Sequence, residues 1–289
     1  MDKEECLLKN GVKLAILSSL IFSIMNAMVK AVSLDLPAAE IMFFRSGIGT
    51  AIVVVLMKKS GIAFSKKGIP ILLVRGGFGA LYLLCYFFTL SKIPLADASI
   101  LAHLSTIFVV LFSVFFLKEK ISKKTITIML LTLIGVVLLI KPFDYSSFSI
   151  YASVGVLSAF FAAGASTSIR YLTKRHHSYE IIFYFLVTGL IISIPLMWDQ
   201  FVIPSIKEFF FLMCIGVVSL IGQIFLTQAF IHANIVVVEV TRYIGIVFNA
   251  FWGFLFWFEI PDVYTLIGGI FIITSCILLS QKKVIETKA

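Results

Sequence analysis

Apolar runs of about 20 residues, separated by short polar segments, recur along the whole chain. A helix needs about 20 apolar residues to cross the hydrocarbon core of a bilayer. The pattern therefore predicts an all-α integral membrane protein with ten transmembrane helices. The predicted spans are residues 12–32, 37–57, 69–91, 97–117, 124–141, 150–173, 178–198, 207–231, 235–258 and 262–281.

Lysine and arginine are distributed unevenly between the connecting segments. Cytoplasmic loops carry an excess of these residues, and here they cluster in both tails and in three alternate loops. Each intervening loop has one at most, so the alternation predicts that both termini are cytoplasmic. The clusters are Lys3, Lys9 and Lys13; Lys58, Lys59, Lys66 and Lys67; Lys118, Lys120, Lys123 and Lys124; Arg170, Lys174 and Arg175; and Lys282, Lys283 and Lys288.

The chain also repeats itself at an offset of 140 residues. This offset places Gly76 on Gly216 and Glu119 on Glu259, and such scarce residues match by chance less easily than aliphatic ones do. Residues 1–145 and 146–289 are therefore predicted to form two related halves. Five spans per half is an odd number, so the second half is expected to be inverted in the membrane, an arrangement that recurs in secondary transporters.

Several short motifs resemble those of EamA-type members of the drug/metabolite transporter superfamily. The resemblance covers nearly the whole chain, once per half, and implies a central substrate cavity lined by helices. The second half departs from the pattern at Ile260-Pro261 and at Ser275, which stands where the first half has Gly135. The matching motifs are Phe43-Phe44-Arg45, Arg75-Gly76-Gly77, Ile93-Pro94-Leu95-Ala96-Asp97-Ala98 and Leu117-Lys118-Glu119.

Composition and missing motifs exclude several other classes of protein. The chain is 60% apolar and 13% charged, which is too apolar for a water-soluble domain. Its net charge of +9 resides in the short loop clusters, so nucleic-acid binding is not expected. The sequence has no phosphate-binding loop, no H-E-x-x-H, no C-x-x-C and no G-x-S-x-G. We therefore expect no enzymatic activity, no cofactor and no metal.

The offset provides a way to sort the polar residues. Glu40 and Glu180 are matched, and each lies in the first turn of a predicted helix, where a carboxylate stabilises the positive end of the helix dipole. Glu119 and Glu259 are also matched and lie between the fourth and fifth span of each half, where they could cap the next helix. These four glutamates are predicted to be structural.

Charged residues without a matching charge are the candidates for coupling and gating. Ionisable groups at membrane depth cost at least about 2.5 kcal/mol at the helix centre and usually face a cavity or a partner. Glu239 and Arg242, three residues apart on one helix face, form either a self-neutralised pair or a functional site, namely a cytoplasmic gate, or a proton or substrate site. Arg45 and Arg75 are lipid or structural anchors, or contacts to the substrate. The offset partners of Arg45, Arg75, Glu239 and Arg242 are Phe185, Ile215, Ser99 and Ala102.

Uncharged polar and aromatic residues near mid-depth are the candidates for substrate binding. Hydrogen bonds between helices and aromatic belts at the interfaces are the alternative roles for such residues. His103 either bonds to a neighbouring helix or carries a proton, because its ordinary pKa suits proton coupling. The candidates are Asn26, Tyr82, Tyr86, His103, Tyr243, Asn249 and Trp252.

The favoured function is a secondary active transporter that exports a small amphiphilic metabolite or drug by rocking one repeat against the other. Uptake or exchange of a nucleoside-, vitamin- or S-adenosylmethionine-like metabolite is the alternative, and a lipid scramblase or channel is more remote. The expected partners are a small-molecule substrate, membrane lipids and protons as coupling ion. We expect a monomer or homodimer with several spans in the cytoplasmic membrane.

The ten-span topology has a direct test by cysteine labelling. Single cysteines at Lys66, Lys123, His176 and Lys283 should react only with reagents that reach the cytoplasm. Cysteines at Lys92 and Asp144 should react from outside the cell. Any one of these positions labelled from the opposite side would contradict the inverted ten-helix arrangement.

Overall fold

The computed structural model describes residues 3–65, 67–117, 147–233 and 235–286, with the isolated positions 127, 131, 134, 135 and 138. These residues form α-helices, one 3₁₀ turn and short connections, with no strand among them. The helices are α1 (Lys3–Val32), α2 (Ala38–Lys59), α3 (Ile69–Lys92), α4 (Leu95–His103), α5 (Ser105–Leu117), α6 (Ser147–Leu172), α7 (Ser178–Met197), α8 (Ile206–His232), α9 (Ile235–Thr241), α10 (Ile244–Trp257) and α11 (Val263–Glu286).

Seven helical segments in the described part of the chain are long and apolar enough to cross a membrane. They correspond to seven of the ten predicted spans. The fourth and tenth spans contain the shorter apolar helices Leu95–Val109 and Val263–Thr274, and the fifth span, with Glu119, lies outside the described residues. The count of ten stays a prediction. The seven segments are Lys9–Val32, Ala38–Lys59, Ile69–Lys92, Ile150–Leu172, Ser178–Gln200, Ile206–His232 and Val237–Trp257.

Two of the predicted spans are interrupted near mid-membrane, which the apolar pattern does not reveal. The fourth span breaks at Leu104, and the ninth breaks at Arg242 and Tyr243. At both breaks the backbone tightens to bonds between residues three apart, as from the Leu104 N–H to Leu101 O and from the Gly245 N–H to Arg242 O. Under the 140-residue offset Leu104 corresponds to Ile244, so the two breaks lie at adjacent positions of the repeat.

The largest helix interfaces join the two halves of the sequence. Helix α1 packs along α8 and α3 packs along α6, and the offset of 140 residues converts the first of these interfaces into the second. Helices α2 and α7, which are equivalent to each other, also pack together. Neither half of the sequence is therefore a separate compact body.

The helices group instead into two bundles of mixed origin. We call α1, α2, α8, α9 and α10 bundle I, and α3, α4, α5, α6 and α7 bundle II; α2 and α7 make their largest interface with each other, across the boundary between these bundles. Each bundle combines helices from both sequence halves. The bundles meet mainly where α2 packs on α7 and α4 packs on α10.

Small residues allow these helices to approach closely. Glycines at equivalent positions of the two halves contact residues that are also equivalent under the 140-residue offset. Gly76 of α3 lies against Thr188 of α7, and the equivalent Gly216 of α8 lies against Ile48 of α2. The same relation holds at the boundary between the bundles, where a methyl group would collide with or crowd the opposite helix. There Gly49 faces Leu186 and Gly189 faces Ser46.

Adjacent glycines on α3 offer a matched test of this packing. A Cβ atom at Gly76 would lie 2.3 Å from Thr188 Oγ1 and 3.0 Å from Tyr184 O, whereas one at Gly77 would meet nothing within 4 Å. Gly76→Ala should destabilise the purified protein by roughly 1–3 kcal/mol through overpacking. Gly77→Ala should leave stability unchanged or slightly raised, because alanine favours helices. Thermal unfolding in detergent measures both, and equal melting temperatures would contradict this packing.

Candidate functional site

A partly open cavity lies between the two bundles, with about 80 Å³ of space for the centres of water molecules. Helices from both bundles contribute to its wall, and its lining combines buried polar side chains with aromatic ones. Nine of the residues selected from the sequence as candidates for binding, coupling or gating line this one cavity. They are Asn26, Arg45, Arg75, Tyr82, Tyr86, His103, Glu239, Arg242 and Asn249.

Two substrate-binding candidates, Tyr243 and Trp252, are absent from the cavity lining. The Tyr243 hydroxyl donates to Thr106 Oγ1 at 2.8 Å, and its ring packs edge-on against that of His103 at 5.2 Å. Trp252 Nε1 donates to Ser23 Oγ at 3.1 Å. Both side chains support the cavity wall from behind, so they act on a cargo only through the residues they hold in place.

A polar layer joins the bundles on the predicted outer side of the cavity. Asn26 Nδ2 donates to Tyr86 Oη at 3.0 Å and to Asn249 Oδ1 at 3.2 Å. Asn249 Nδ2 in turn donates to Ser99 Oγ at 3.0 Å. We call these four residues the polar layer. Because Asn26 and Asn249 belong to bundle I and the other two to bundle II, separating the bundles there breaks the Asn26–Tyr86 and Asn249–Ser99 bonds.

Glu259 connects helices on the same side of the protein, farther from the cavity. The sequence suggested that Glu259 caps the helix that follows it, but its bonds are with other helices. Its carboxylate pairs with Lys30 and accepts the Leu95 N–H at 2.9 Å. That N–H opens α4, so Glu259 caps a helix of the other half of the sequence. The following helix, α11, is capped by Asp262, which accepts the Thr265 N–H at 2.8 Å.

The matched glutamates Glu40 and Glu180 bind loops of the opposite half. Glu40 Oε2 accepts the Val202 N–H at 3.1 Å, and Glu180 Oε1 accepts the Ser65 N–H at 2.7 Å. Each carboxylate thus joins a helix start to a loop that the sequence places on the same side of the membrane. The structural role of Glu40, Glu180 and Glu259 stays a prediction, and Glu119 lies outside the described residues.

An apolar cluster closes the predicted inner side of the cavity, and we call it the inner cluster. It contains residues of α1, α8 and α9 from bundle I and of α3, α6 and α7 from bundle II. Its contacts are nonpolar, in contrast to the polar layer. The members are Ala15, Leu72, Ile169, Leu172, Ile181, Leu226, Ala229, Phe230, Ala233 and Val238.

The two helix breaks meet at His103. Its Nδ1 lies 2.7 Å from Ser99 O, and its Nε2 lies 3.0 Å from the Arg242 carbonyl oxygen across the bundle boundary. Both neighbours are acceptors, and a neutral imidazole has only one N–H to donate. The protonated ring is therefore the form that satisfies both contacts.

Glu239 and Arg242 form the ion pair that their spacing suggested. Arg242 Nη1 lies 3.2 Å and 3.4 Å from the two carboxylate oxygens of Glu239, whose side chain is buried. Both residues also line the cavity. The pair thus neutralises itself and also faces the cavity, and its role as a gate, or as a proton or substrate site, stays a prediction.

Arg45 and Arg75 are stacked on one aromatic ring. The Cζ atoms of Arg45 and Arg75 lie 5.3 Å and 4.3 Å from the centre of the Phe185 ring. Gly79 makes room for this arrangement, since a Cβ there would lie 2.1 Å from Arg75 Nη1. Arg45 is 1% and Arg75 3% exposed, so neither reaches a lipid headgroup in this conformation.

Sequence reasoning did not select Phe185, Ser99, Ser166 or Gln223, which also line the cavity. For two of them a signal was present in the sequence. Phe185 is the offset partner of Arg45, and Ser99 is the offset partner of Glu239. Gln223 and Ser166 could not be distinguished in this way, because polar residues in membrane helices also form hydrogen bonds between helices.

Comparisons with known proteins agree on a transporter. The model of the EamA-like transporter family matches residues 9–141 and again residues 149–281. The pseudopaline exporter CntI of Pseudomonas aeruginosa is 57% identical, over 96% of this chain and 98% of that protein. The S-adenosylmethionine uptake transporter of Rickettsia prowazekii is 24% identical, over 96% of both chains.

More distant similarities extend to human proteins and to a solved structure. Human solute carrier family 35 member G1 is 27% identical, over 92% of this chain and 77% of that protein. A crystal structure of a protein that is 18% identical matches with a TM-score of 0.67, over 96% of this chain and 98% of the other. At this identity the crystal structure shows a shared fold and no shared function.

Proposed function

Because this chain belongs to the EamA-like transporter family, we propose that it exports pseudopaline, or a closely related molecule, from the cytoplasm. The observation that carries this proposal is the 57% identity to the pseudopaline exporter over nearly the full length of both proteins. The sequence resemblance to EamA-type transporters is confirmed, and the chain is a multi-pass membrane protein that carries a small molecule.

The proposal includes the full topology. Ten spans, two inverted five-helix halves and two cytoplasmic ends in the cytoplasmic membrane remain inferences. Two observations support them: the family model matches the chain twice, and the contacts of Gly76 and Gly216 are related by the 140-residue offset. The loop contacts of Glu40, Glu180 and Glu259 support them too, since each joins segments on the same predicted side.

In this proposal, alternating access is a movement of bundle I against bundle II. The sequence halves are poor candidates for the moving bodies, because α1 with α8 and α3 with α6 form the largest interfaces and each joins both halves. Opening toward the cytoplasm would part the inner cluster, and opening toward the outside would part the polar layer. The cavity between them is then reached from one side at a time.

We further propose protons as the coupling ion, with His103 as the carrier. Its ring faces carbonyl oxygens on both bundles, and Glu239, Arg242 and Tyr243 surround it from α9 and the break that follows. Separating the bundles would remove the Arg242 carbonyl from Nε2. The ring then keeps one acceptor, so its second proton loses a hydrogen bond and is more easily released.

Uptake of an S-adenosylmethionine-like compound is not favoured for this chain. S-adenosylmethionine carries a permanent sulfonium cation, and the described cavity already holds Arg45, Arg75 and Arg242 against the single carboxylate of Glu239. Like charges in a site of low dielectric repel strongly. The relative that has this activity is also far less similar, at 24% identity.

Complementation tests the proposed cargo. Expression of the full chain in Pseudomonas aeruginosa lacking its own pseudopaline exporter should restore pseudopaline to the medium and lower the amount retained in cells. Mass spectrometry of both fractions measures this, with empty vector as the control and membrane immunoblots for the amount of protein. If the chain is present in the membrane and pseudopaline is still retained, the proposed cargo is wrong.

Proton coupling is tested in inverted membrane vesicles with an imposed pH gradient. Uptake of pseudopaline into vesicles with wild-type protein should rise several-fold with the gradient. His103→Gln should abolish this response, because glutamine carries no titrating proton. His232→Gln, at the end of α8 and absent from the cavity lining, should retain it. An unchanged response in the His103 variant would mean that protons are not carried there.

A further inference from the structure

Two buried cations in the cavity have no anionic partner within the described part of the chain. The Nε and Nη1 atoms of Arg45 and of Arg75 make no hydrogen bond there. The cavity-lining carboxylate of Glu239 is already paired with Arg242. The great majority of buried polar atoms in proteins are hydrogen-bonded. Four donor nitrogens without a hydrogen bond at one site therefore require an explanation.

The protein compensates these charges only in part. Both guanidinium groups lie over the Phe185 ring, which attracts cations weakly compared with the cost of burying an unpaired charge. The two Cζ atoms lie within 5.3 Å of one ring centre, so they are separated by at most twice that distance. Two like charges so close to each other repel, and an anion between them would remove both penalties.

The charges of the cavity define what would fit. Its described lining has three arginines and one carboxylate, which leaves an excess of two positive charges before any contribution from His103. The excess is divided between two separate guanidinium groups. Each is a planar fork that matches a carboxylate bidentately. Tyr82 and Tyr86, stacked on each other nearby, add an aromatic surface for an organic skeleton.

We infer that Arg45 and Arg75 bind carboxylate groups of the cargo, and that the cargo is an organic polycarboxylate. The inference rests on the proposed function in one respect, that the cavity is the transport site. Neutral or cationic drugs would leave both guanidinium groups unpaired. Inorganic phosphate is also an anion, but it has no organic skeleton to pack against the aromatic surface. The experiment therefore compares it with an organic dicarboxylate.

The two arginines lie on different bundles, so a shared anion connects them. Arg45 belongs to α2 in bundle I, and Arg75 belongs to α3 in bundle II with Phe185 of α7. A cargo that contacts both is bound best when the bundles are close together around it. Such differential binding is what a ligand needs to shift a protein between conformations.

A pair of isosteric probes tests the inference on the purified full chain. Glutarate carries two carboxylates, and glutaramide has the same skeleton with neutral amides. Glutarate should raise the melting temperature of wild-type protein and of Arg175→Gln, an exposed arginine outside the cavity, whereas glutaramide should not. Arg45→Gln and Arg75→Gln should raise the half-maximal glutarate concentration at least tenfold. If these variants do not purify, Arg45→Lys and Arg75→Lys, which keep the charge but lose the fork, should raise it several-fold.

Three outcomes would overturn the inference: no stabilisation of the wild type by glutarate, equal stabilisation by glutaramide, or an unchanged glutarate response in the arginine variants. Stronger stabilisation by inorganic phosphate than by glutarate would also overturn it, in favour of a phosphate site. Pseudopaline export separates this inference from the proposed function. Wild-type export by both glutamine variants refutes the arginine site alone, whereas arginine-dependent glutarate binding without pseudopaline export refutes only the cargo.

Discussion

A charge inside a bilayer must find a partner within the protein, because neither lipid nor bulk water can solvate it there. The described part of this chain follows that constraint almost throughout. Glu259 binds Lys30 and a helix N-terminus, Glu239 binds Arg242, and the buried Glu40 accepts a loop N–H of the opposite half. The bonds of Glu259 and Glu40 connect segments that are distant in the sequence, so satisfying these two charges also holds those segments together. Arg45 and Arg75 depart from the constraint, and the inferred binding of cargo carboxylates rests on this departure.

Apolar runs and the 140-residue offset predict much of this architecture from the sequence. Seven spans follow from length and hydropathy. Nine cavity residues were selected either as uncharged polar or aromatic side chains within the spans or as charges without a match in the repeat. The helix break at Leu104 could not be predicted, because the sequence does not show that His103 meets a carbonyl group on a distant helix there. The cap that Glu259 provides for α4 was missed for the same reason, because the sequence does not show which helix N-terminus a loop carboxylate binds.

The structure reveals one further relation that the sequence alone does not show, which is contact between offset partners. Arg45 contacts its own offset partner Phe185, and His103 contacts its own offset partner Tyr243. Two equivalent residues can touch only where the two halves approach their common axis. Identical side chains there would make a symmetric site, whereas an arginine against a phenylalanine makes an asymmetric one. In the proposed inverted repeat, these unmatched pairs would lie at the axis and at the binding site, because a cargo without two-fold symmetry requires different groups on its two sides.

The mixed composition of the bundles bears on how such a protein moves. If each sequence half moved as a body, the interfaces of α1 with α8 and of α3 with α6 would both have to slide, and these are the largest in the described structure. Moving bundle I against bundle II disturbs mainly the contacts of α2 with α7 and of α4 with α10. Gly49 and Gly189 keep the first of these contacts close, and the helix breaks of the fourth and ninth spans lie at the second. Arg45 and Arg75 lie on opposite sides of this boundary, so in the proposed mechanism an anion held between them would engage both of the moving bundles.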